Sequence, residues 1–467
     1  MWSPRGRDRR QERRTLEARQ FARRRRSLAD RPGRAIVLGF AGVIGVGTAV
    51  LLLPVARAGE QSPGLLDAFF TATSAVSVTG LNVVDTPTYW STFGHVAILA
   101  LCQAGGFGIM ALASLLGLLV TRRLGLRSRL TTVAEAGTVG LGEVREVLFG
   151  LIRISLVVEA AVALVLWLRL WLGYDEPPGR AAWYAVFHAV SSFNNAGFSL
   201  WSDSLVRFVG DPWIVVPVCV AVFLGSIGLP VLMELSRRVL PVREWSLHTR
   251  MTVGGWLGLM VLGWVVLTAF EWTNPDTLGG RPVGTRLLGG LAASVLPRSA
   301  GLQTVDYADV TDESLVVTTV LMFIGGGAAS AGGGIKVTTL LLLLLVIAAE
   351  VRGSRDVEVA GRRLGPRTQR QAVAVTTLTI GILFVATLLM MALADLGLGR
   401  AAFETASAFS TAGLSSVGTG SLPDSAQLLL VVLMFVGRIG PVTLVSALAL
   451  RDRPHLYRYP EGRPLIG

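Results

Sequence analysis

Four stretches decide the fold: FTATSAVSVTGL at 70–81, HAVSSFNNAGFS at 188–199, AASVLPRSAGLQ at 292–303 and ETASAFSTAGLS at 404–415. Aligned on Gly80, Gly197, Gly301 and Gly413, they share one register. A small residue precedes each glycine (Thr79, Ala196, Ala300, Ala412) and a large apolar one follows it (Leu81, Phe198, Leu302, Leu414). Six positions upstream stand Ser74, Ser191 and Ser407, with Val295 the exception; ten upstream stand Phe70, Phe187, Leu291 and Phe403. The glycines are 117, 104 and 112 residues apart. Self-similarity at a near-constant period marks one supersecondary unit used repeatedly.

A second glycine cluster follows each stretch: GGFG at 105–108, GSIG at 225–228, GGGA at 325–328 and GRIG at 437–440. Apolar runs near the ~20 residues that a spanning helix needs lie at 35–55, 92–120, 147–172, 212–236, 250–271, 314–348, 371–396 and 425–450. The quoted stretches belong to shorter apolar segments, near 64–77, 181–192, 285–297 and 400–409. Segments of that length cannot span and are common as re-entrant elements. The unit is therefore long helix, half-helix, glycine turn, long helix. The expected fold is an all-α polytopic membrane protein, with four helix–pore-half-helix–helix repeats around one central pore and eight spanning helices. Its expected divisions are a basic segment at 1–34, repeats at 35–121, 146–240, 250–349 and 371–450, and a tail at 451–467.

Composition points the same way. The 467 residues are 52% hydrophobic and 16% charged, with mean hydropathy +0.58, whereas a soluble domain carries about 25% charged residues. A soluble enzyme is excluded. The net charge of +12 is sided: 32 of the 43 basic residues fall in 1–34, 122–145, 237–250, 352–370 and 451–467. Most loop acids, among them Asp85, Asp203 and Asp306, fall in the other loops, where Arg298 also counts. The positive-inside rule then makes both termini cytoplasmic in a multi-pass plasma-membrane protein. An arginine-rich start can be a nucleic-acid arm. Directly ahead of a membrane helix it reads instead as a topology signal that touches anionic lipid, so nucleic acid is not an expected partner. Cys102 and Cys219 both lie in apolar runs, and four scattered histidines with no CxxC or HExxH offer no structural metal site. Glu135, Glu143, Glu159 and Glu234 show no paired-carboxylate spacing, so no catalytic residue is expected. Glu159 and Arg169, inside 147–172, read as structural or interfacial.

Non-helical backbone at membrane depth survives only where protein buries it or it lines a wet cavity, and glycine there admits left-handed dihedrals. The half-helices aim partly negative C-terminal ends at the centre. The turns present carbonyl oxygens, and a ring of these replaces the hydration shell of a monovalent cation. In the third repeat, 314–324 and 335–349 are each too short to cross at about 1.5 Å per residue. GGGAASAGGG at 325–334 therefore reads as an unwound intramembrane loop; the alternative is a continuous helix with a packing patch of small residues. It is no phosphate loop, because Ile335 separates Gly334 from Lys336 and Val337 follows where Ser or Thr is needed. Arg438 lies inside 425–450, and an intramembrane ionisable residue is functional by default; the alternative is a tether for carbonyls of the broken helix. Lys336, the single lysine, either snorkels or caps the loop. Asn194 and Asn195 either orient the second turn or serve a local turn.

These residues resemble the Trk/Ktr/HKT superfamily of potassium transporters, and within it the Ktr-type membrane subunit. The carriers are TSAVSVTGL at 73–81, SFNNAGFS at 192–199, LPRSAGL at 296–302, SAFSTAGLSSVGTG at 407–420, GGGAASAGGGIK at 325–336 and VGRIGP at 436–441. The resemblance runs from about residue 35 to 450. It implies a selectivity filter of backbone carbonyls at Val78, Thr79 and Gly80, at Asn195, Ala196 and Gly197, at Ser299, Ala300 and Gly301, and at Thr411, Ala412 and Gly413. A glycine in all four repeats implies potassium preference. The first long helix leads straight into the first half-helix, which favours the Ktr type over the Trk type. The resemblance further implies a gate at Gly325, Gly326, Gly327, Gly332, Gly333, Gly334 and Lys336, with Arg438 beside it. Potassium at the filter is the metal expected, sodium is a further candidate, and no cofactor is expected on this chain. The implied partners are a second copy in a homodimer with one pore per chain, a cytoplasmic nucleotide-binding ring subunit and membrane lipids. A secondary transporter of another small solute, the competing expectation, predicts inverted repeats and a roomy polar midplane. A membrane-embedded enzyme predicts clustered His, Asp or Glu at membrane depth.

Overall fold

The computed structural model describes residues 32–59, 62–126, 141–237, 242–354, 356–359 and 361–440. Most of the basic segment, the tail at 451–467 and the last run beyond residue 440 lie outside the described residues. Gly42–Arg438 is one compact unit, and the described residues 32–41 and 439–440 fall outside it.

The first repeat comprises α1 (Pro32–Leu51), α2 (Leu65–Ser77), a short α3 (Thr86–Tyr89) and α4 (Thr92–Leu126). The second comprises α5 (Leu141–Gly173), α6 (Pro178–Phe193), α7 (Pro212–Ile227) and α8 (Leu229–Arg237). The third comprises α9 (Leu247–Phe270), α10 (Val283–Val295), α11 (Asp312–Phe323) and α12 (Val337–Val351). A two-stranded hairpin, β1 (Glu358–Val359) with β2 (Arg362–Arg363), precedes the fourth: α13 (Pro366–Ala394), α14 (Leu398–Phe409) and α15 (Asp424–Ile439).

The half-helices α2, α6, α10 and α14 have 13, 16, 13 and 12 residues. At ~1.5 Å per residue none reaches the ~30 Å of a bilayer core. Breakers define their starts: Gly64, Pro177, Pro282 and Gly397 occupy the N-cap positions. Three phenylalanines of the shared register, Phe70, Phe187 and Phe403, are fully buried, so the ten-residue offset is a packing anchor.

Among the described residues, Leu148–Gly173, Leu247–Phe270 and Pro366–Ala394 are each long and apolar enough to cross a membrane. The run at 212–236, expected as one long helix, is bent by 106° between α7 and α8. Gly228 at the bend has φ 93°, and a methyl group there would lie 2.3 Å from the Ala328 carbonyl oxygen. The bend makes room for the loop of the next repeat. Between Phe323 and Val337 the backbone leaves the helix altogether, so a continuous helix with a packing patch is not what forms.

Half-helices α6, α10 and α14 pack on the long helices α5, α9 and α13 that precede them, and α2 packs on α4. Each of α6, α10 and α14 also meets the outgoing helix of the previous repeat, α4, α7 and α11. Phe70 and Leu81 share a core with Leu430, Leu433 and Met434 of α15, which links the first repeat to the last. Helices in lipid associate through close packing of small residues rather than apolar transfer, and α2 offers Ala68, Ala72 and Ala75, all buried.

Candidate functional site

Each half-helix ends in a turn with the same backbone pattern. Val78, Asn195, Ser299 and Thr411 have φ of 56°, 59°, 80° and 49°, and Gly80, Gly197, Gly301 and Gly413 have 91°, 75°, 65° and 81°. Left-handed dihedrals at a residue with Cβ cost of order 1–3 kcal/mol and persist only where the surroundings enforce them. The four turns meet. A methyl group on Gly80 would lie 2.7 Å from the Ala196 oxygen, on Gly197 3.1 Å from that of Ala300, on Gly301 3.4 Å from that of Ala412 and 3.0 Å from that of Thr79 across the ring, and on Gly413 1.9 Å from that of Thr79. The carbonyl preceding each glycine thus faces the glycine of the repeat before it, in cyclic order. A cavity of about 500 Å³ opens over the four glycines, lined also by Asp85, Gln303 and Asp306.

The register explains itself in hydrogen bonds. Ser74 Oγ accepts the Gly80 N–H at 3.0 Å, and Ser191 Oγ donates to the Phe198 carbonyl at 2.7 Å. Nine positions before the glycine, two dissimilar residues do one job. His188 Nε2 accepts the Leu200 N–H at 3.3 Å and Glu404 Oε1 accepts that of Ser416 at 2.7 Å, each three positions past its glycine. Neither residue stood out in the sequence, because Thr71 and Ala292 hold the same position in the other repeats.

The second glycine clusters lie against the half-helix ends. Methyl groups on Gly105, Gly225 and Gly437 would lie 2.0, 1.9 and 1.7 Å from the carbonyl oxygens of Val76, Phe193 and Phe409, each four positions before its turn glycine. The third repeat departs: a methyl on Gly325 would meet the Gly333 oxygen instead, at 1.8 Å. Here Arg298 enters. Counted from sequence with the acid-rich loops, it is fully buried, with its guanidinium 4.3 Å over the Trp256 ring. Nη1 donates to the Trp256 carbonyl at 2.8 Å and Nη2 approaches that of Gly325 at 3.5 Å.

Loop 325–334 is held from three sides. Gly327 N–H donates to the Ser226 carbonyl at 2.7 Å, Ala331 N–H to that of Gly225 at 3.2 Å, and Leu229 N–H to that of Ala329 at 3.1 Å. Gly333 N–H donates to Ser299 Oγ at 2.9 Å. Arg438 donates through Nη1 to the Ala331 carbonyl and through Nη2 to that of Gly105 at 3.4 Å. Lys336 Nζ caps the Gly332 carbonyl. The asparagines reach beyond a local turn: Asn195 Nδ2 donates to Ser226 Oγ at 2.8 Å, and Asn194 Nδ2 to Gln103 and to Glu159 Oε1. Glu159 therefore sits behind the second turn, while Arg169 pairs with Asp211 at 2.7 Å. Among the described residues no group of His, Cys, Asp or Glu could hold a metal ion.

Residues 27–453 match the TrkH family model, described as a cation transport protein. The chain is 34% identical over 438 residues to Ktr system potassium uptake protein B of Bacillus subtilis, covering 93% of this chain and 97% of the relative. It is 30% identical to the potassium/sodium uptake protein NtpJ of Enterococcus hirae, over 93% and 97% of the two chains. The crystal structure of the potassium transporter TrkH from Vibrio parahaemolyticus shares the fold, with a TM-score of 0.72 at 23% identity over 89% of this chain and 84% of that one.

Proposed function

Because this chain belongs to the TrkH family of cation transport proteins, we propose that it takes up potassium across the plasma membrane, with the four glycine turns as its selectivity filter. The cyclic order of the carbonyls carries the reading: Thr79, Ala196, Ala300 and Ala412 each face the glycine of the neighbouring repeat. Irregular backbone in lipid is tolerated where it lines a path, and a carbonyl ring substitutes for cation hydration. Potassium is favoured because the Bacillus relative is named a potassium uptake protein; sodium is the second candidate, because the Enterococcus relative's name includes it. Asp85 and Asp306 at the cavity would concentrate cations. The relatives are ion-uptake proteins and not enzymes.

The finer reading has eight membrane crossings with both termini cytoplasmic, loop 325–334 as the barrier and Arg438 as a fixed positive charge beside it. It also has a homodimer and a cytoplasmic nucleotide-binding ring subunit on the basic loops; the word "system" in the name of the Bacillus relative supports a partner. The test is rubidium uptake in cells lacking their own potassium uptake. Uptake should depend on this chain and should fall in Gly80→Ser and Gly413→Ser. Unchanged rubidium uptake in both variants and in their double combination would refute the filter.

A further inference from the structure

One hydroxyl joins the third turn, the fourth turn and the loop. Ser299 is buried and lies at positive φ, two positions before Gly301. Its Oγ is 2.8 Å from the Thr411 carbonyl oxygen, 3.1 Å from that of Ser410 and 3.3 Å from Thr411 Oγ1, and it accepts the Gly333 N–H at 2.9 Å. A hydroxyl has one proton and two lone pairs. With a lone pair taken by Gly333, the proton is directed into the fourth turn, where the Thr411 carbonyl is its shortest partner. The approach of the loop depends on glycine, since a methyl on Gly333 would lie 2.4 Å from both the Ser410 oxygen and Thr411 Oγ1. At the same register the Val78 side chain is apolar, the Asn195 amide donates to Ser226 on α7, and Thr411 Oγ1 lies at the far end of the Ser299 contact.

We propose that Ser299 is a specificity-determining positioning residue that makes the ion affinity of the fourth turn depend on whether the loop is seated. The proposal rests on the reading of the turns as the ion path and of 325–334 as its barrier. With the loop seated, the Ser299 proton occupies the Thr411 carbonyl, and an oxygen already accepting a hydroxyl proton is a poorer cation ligand. With the loop displaced, the hydroxyl loses the Gly333 N–H, rotates, and leaves that carbonyl free to face an ion.

The test measures two quantities in wild type, Ser299→Ala and Ser299→Thr, each alone and combined with Gly333→Ala or with deletion of 328–332. One is the potassium concentration that half-maximally raises the melting temperature of the purified protein; the other is KM and maximal rate for rubidium uptake. Displacing the loop should lower the half-maximal potassium concentration and KM several-fold in wild type and in Ser299→Thr. Ser299→Ala should already show the lower values and should not shift further. An equal shift in Ser299→Ala, or none in wild type, overturns the proposal. The maximal rate reports separately on the barrier: if it fails to rise on loop displacement while the affinity pattern holds, the barrier reading fails and the Ser299 link stands.

Discussion

At the scale of single residues, His188 and Glu404 brace the second and fourth turns. Glu404 Oε1 takes hydrogen bonds from Ser416 N–H, Ser415 Oγ and Ser416 Oγ, at 2.7, 3.0 and 3.2 Å. His188 donates from Nδ1 to the Tyr184 carbonyl, accepts at Nε2, and stacks 3.8 Å from Trp201. Removing such an acceptor strands a buried donor, which costs about 1–3 kcal/mol, here within a few residues of the proposed ion path. Glu404→Ala should lose discrimination between rubidium and sodium while still reaching the membrane, and Glu404→Gln should retain most of it. Sodium competition against rubidium uptake measures this; wild-type discrimination in Glu404→Ala would remove the brace. The serines six before three of the four glycines were visible in the sequence because one residue type recurs. His, Glu, Thr and Ala share no chemistry, so the brace became apparent only when the fold brought a backbone N–H to two of them.

At the scale of elements, their lengths announced the half-helices, and ten glycine-rich residues announced the interruption between α11 and α12. The 106° bend between α7 and α8 was not announced, because Gly228 permits a positive φ without requiring one. The nearby Ala328 carbonyl is what leaves no room for a straight path. The start of α11 depends on a distant acid. Glu271, just past α9, accepts from Thr311 N–H and Oγ1 at 3.0 and 2.9 Å, from Asn274 at 2.8 Å and from Thr277. Burial pushes this carboxyl up, but the hydrogen bonds outweigh it and hold it below the usual carboxylate range. A depressed pKa contributes stability above the unfolded value of about 4.3 and loses it as pH falls through the folded value. Glu271→Gln should therefore melt several degrees below wild type at neutral pH, and the gap should close as the pH is lowered into the acid range. A gap that is independent of pH would assign the loss to packing instead.

At the scale of the whole molecule, Arg438 joins the fourth repeat to the loop of the third and to the Gly105 carbonyl of the first. It is 5% exposed, and its hydrogen-bond partners are carbonyl oxygens. A buried guanidinium with no carboxylate partner among the described residues leaves net positive charge near the proposed path, which opposes cations. Arg438→Ala should raise rubidium flux in liposomes, as should deletion of 328–332. Lower flux from correctly folded protein would make the arginine a tether and not a barrier.

The shared glycine register of four stretches, and the shortness of the helices that carry them, were legible in the sequence alone. These follow from local rules: length against bilayer thickness and the intolerance of lipid for unpaired backbone. The tertiary structure decided which carbonyl faces which glycine, where α7 bends, that Arg298 is buried on Trp256 and that Ser299 holds both Thr411 and Gly333. Each is a contact between segments brought together by the order in which the repeats pack. A local pattern records that a residue is small or polar; the neighbour it meets across the ring is set by packing alone.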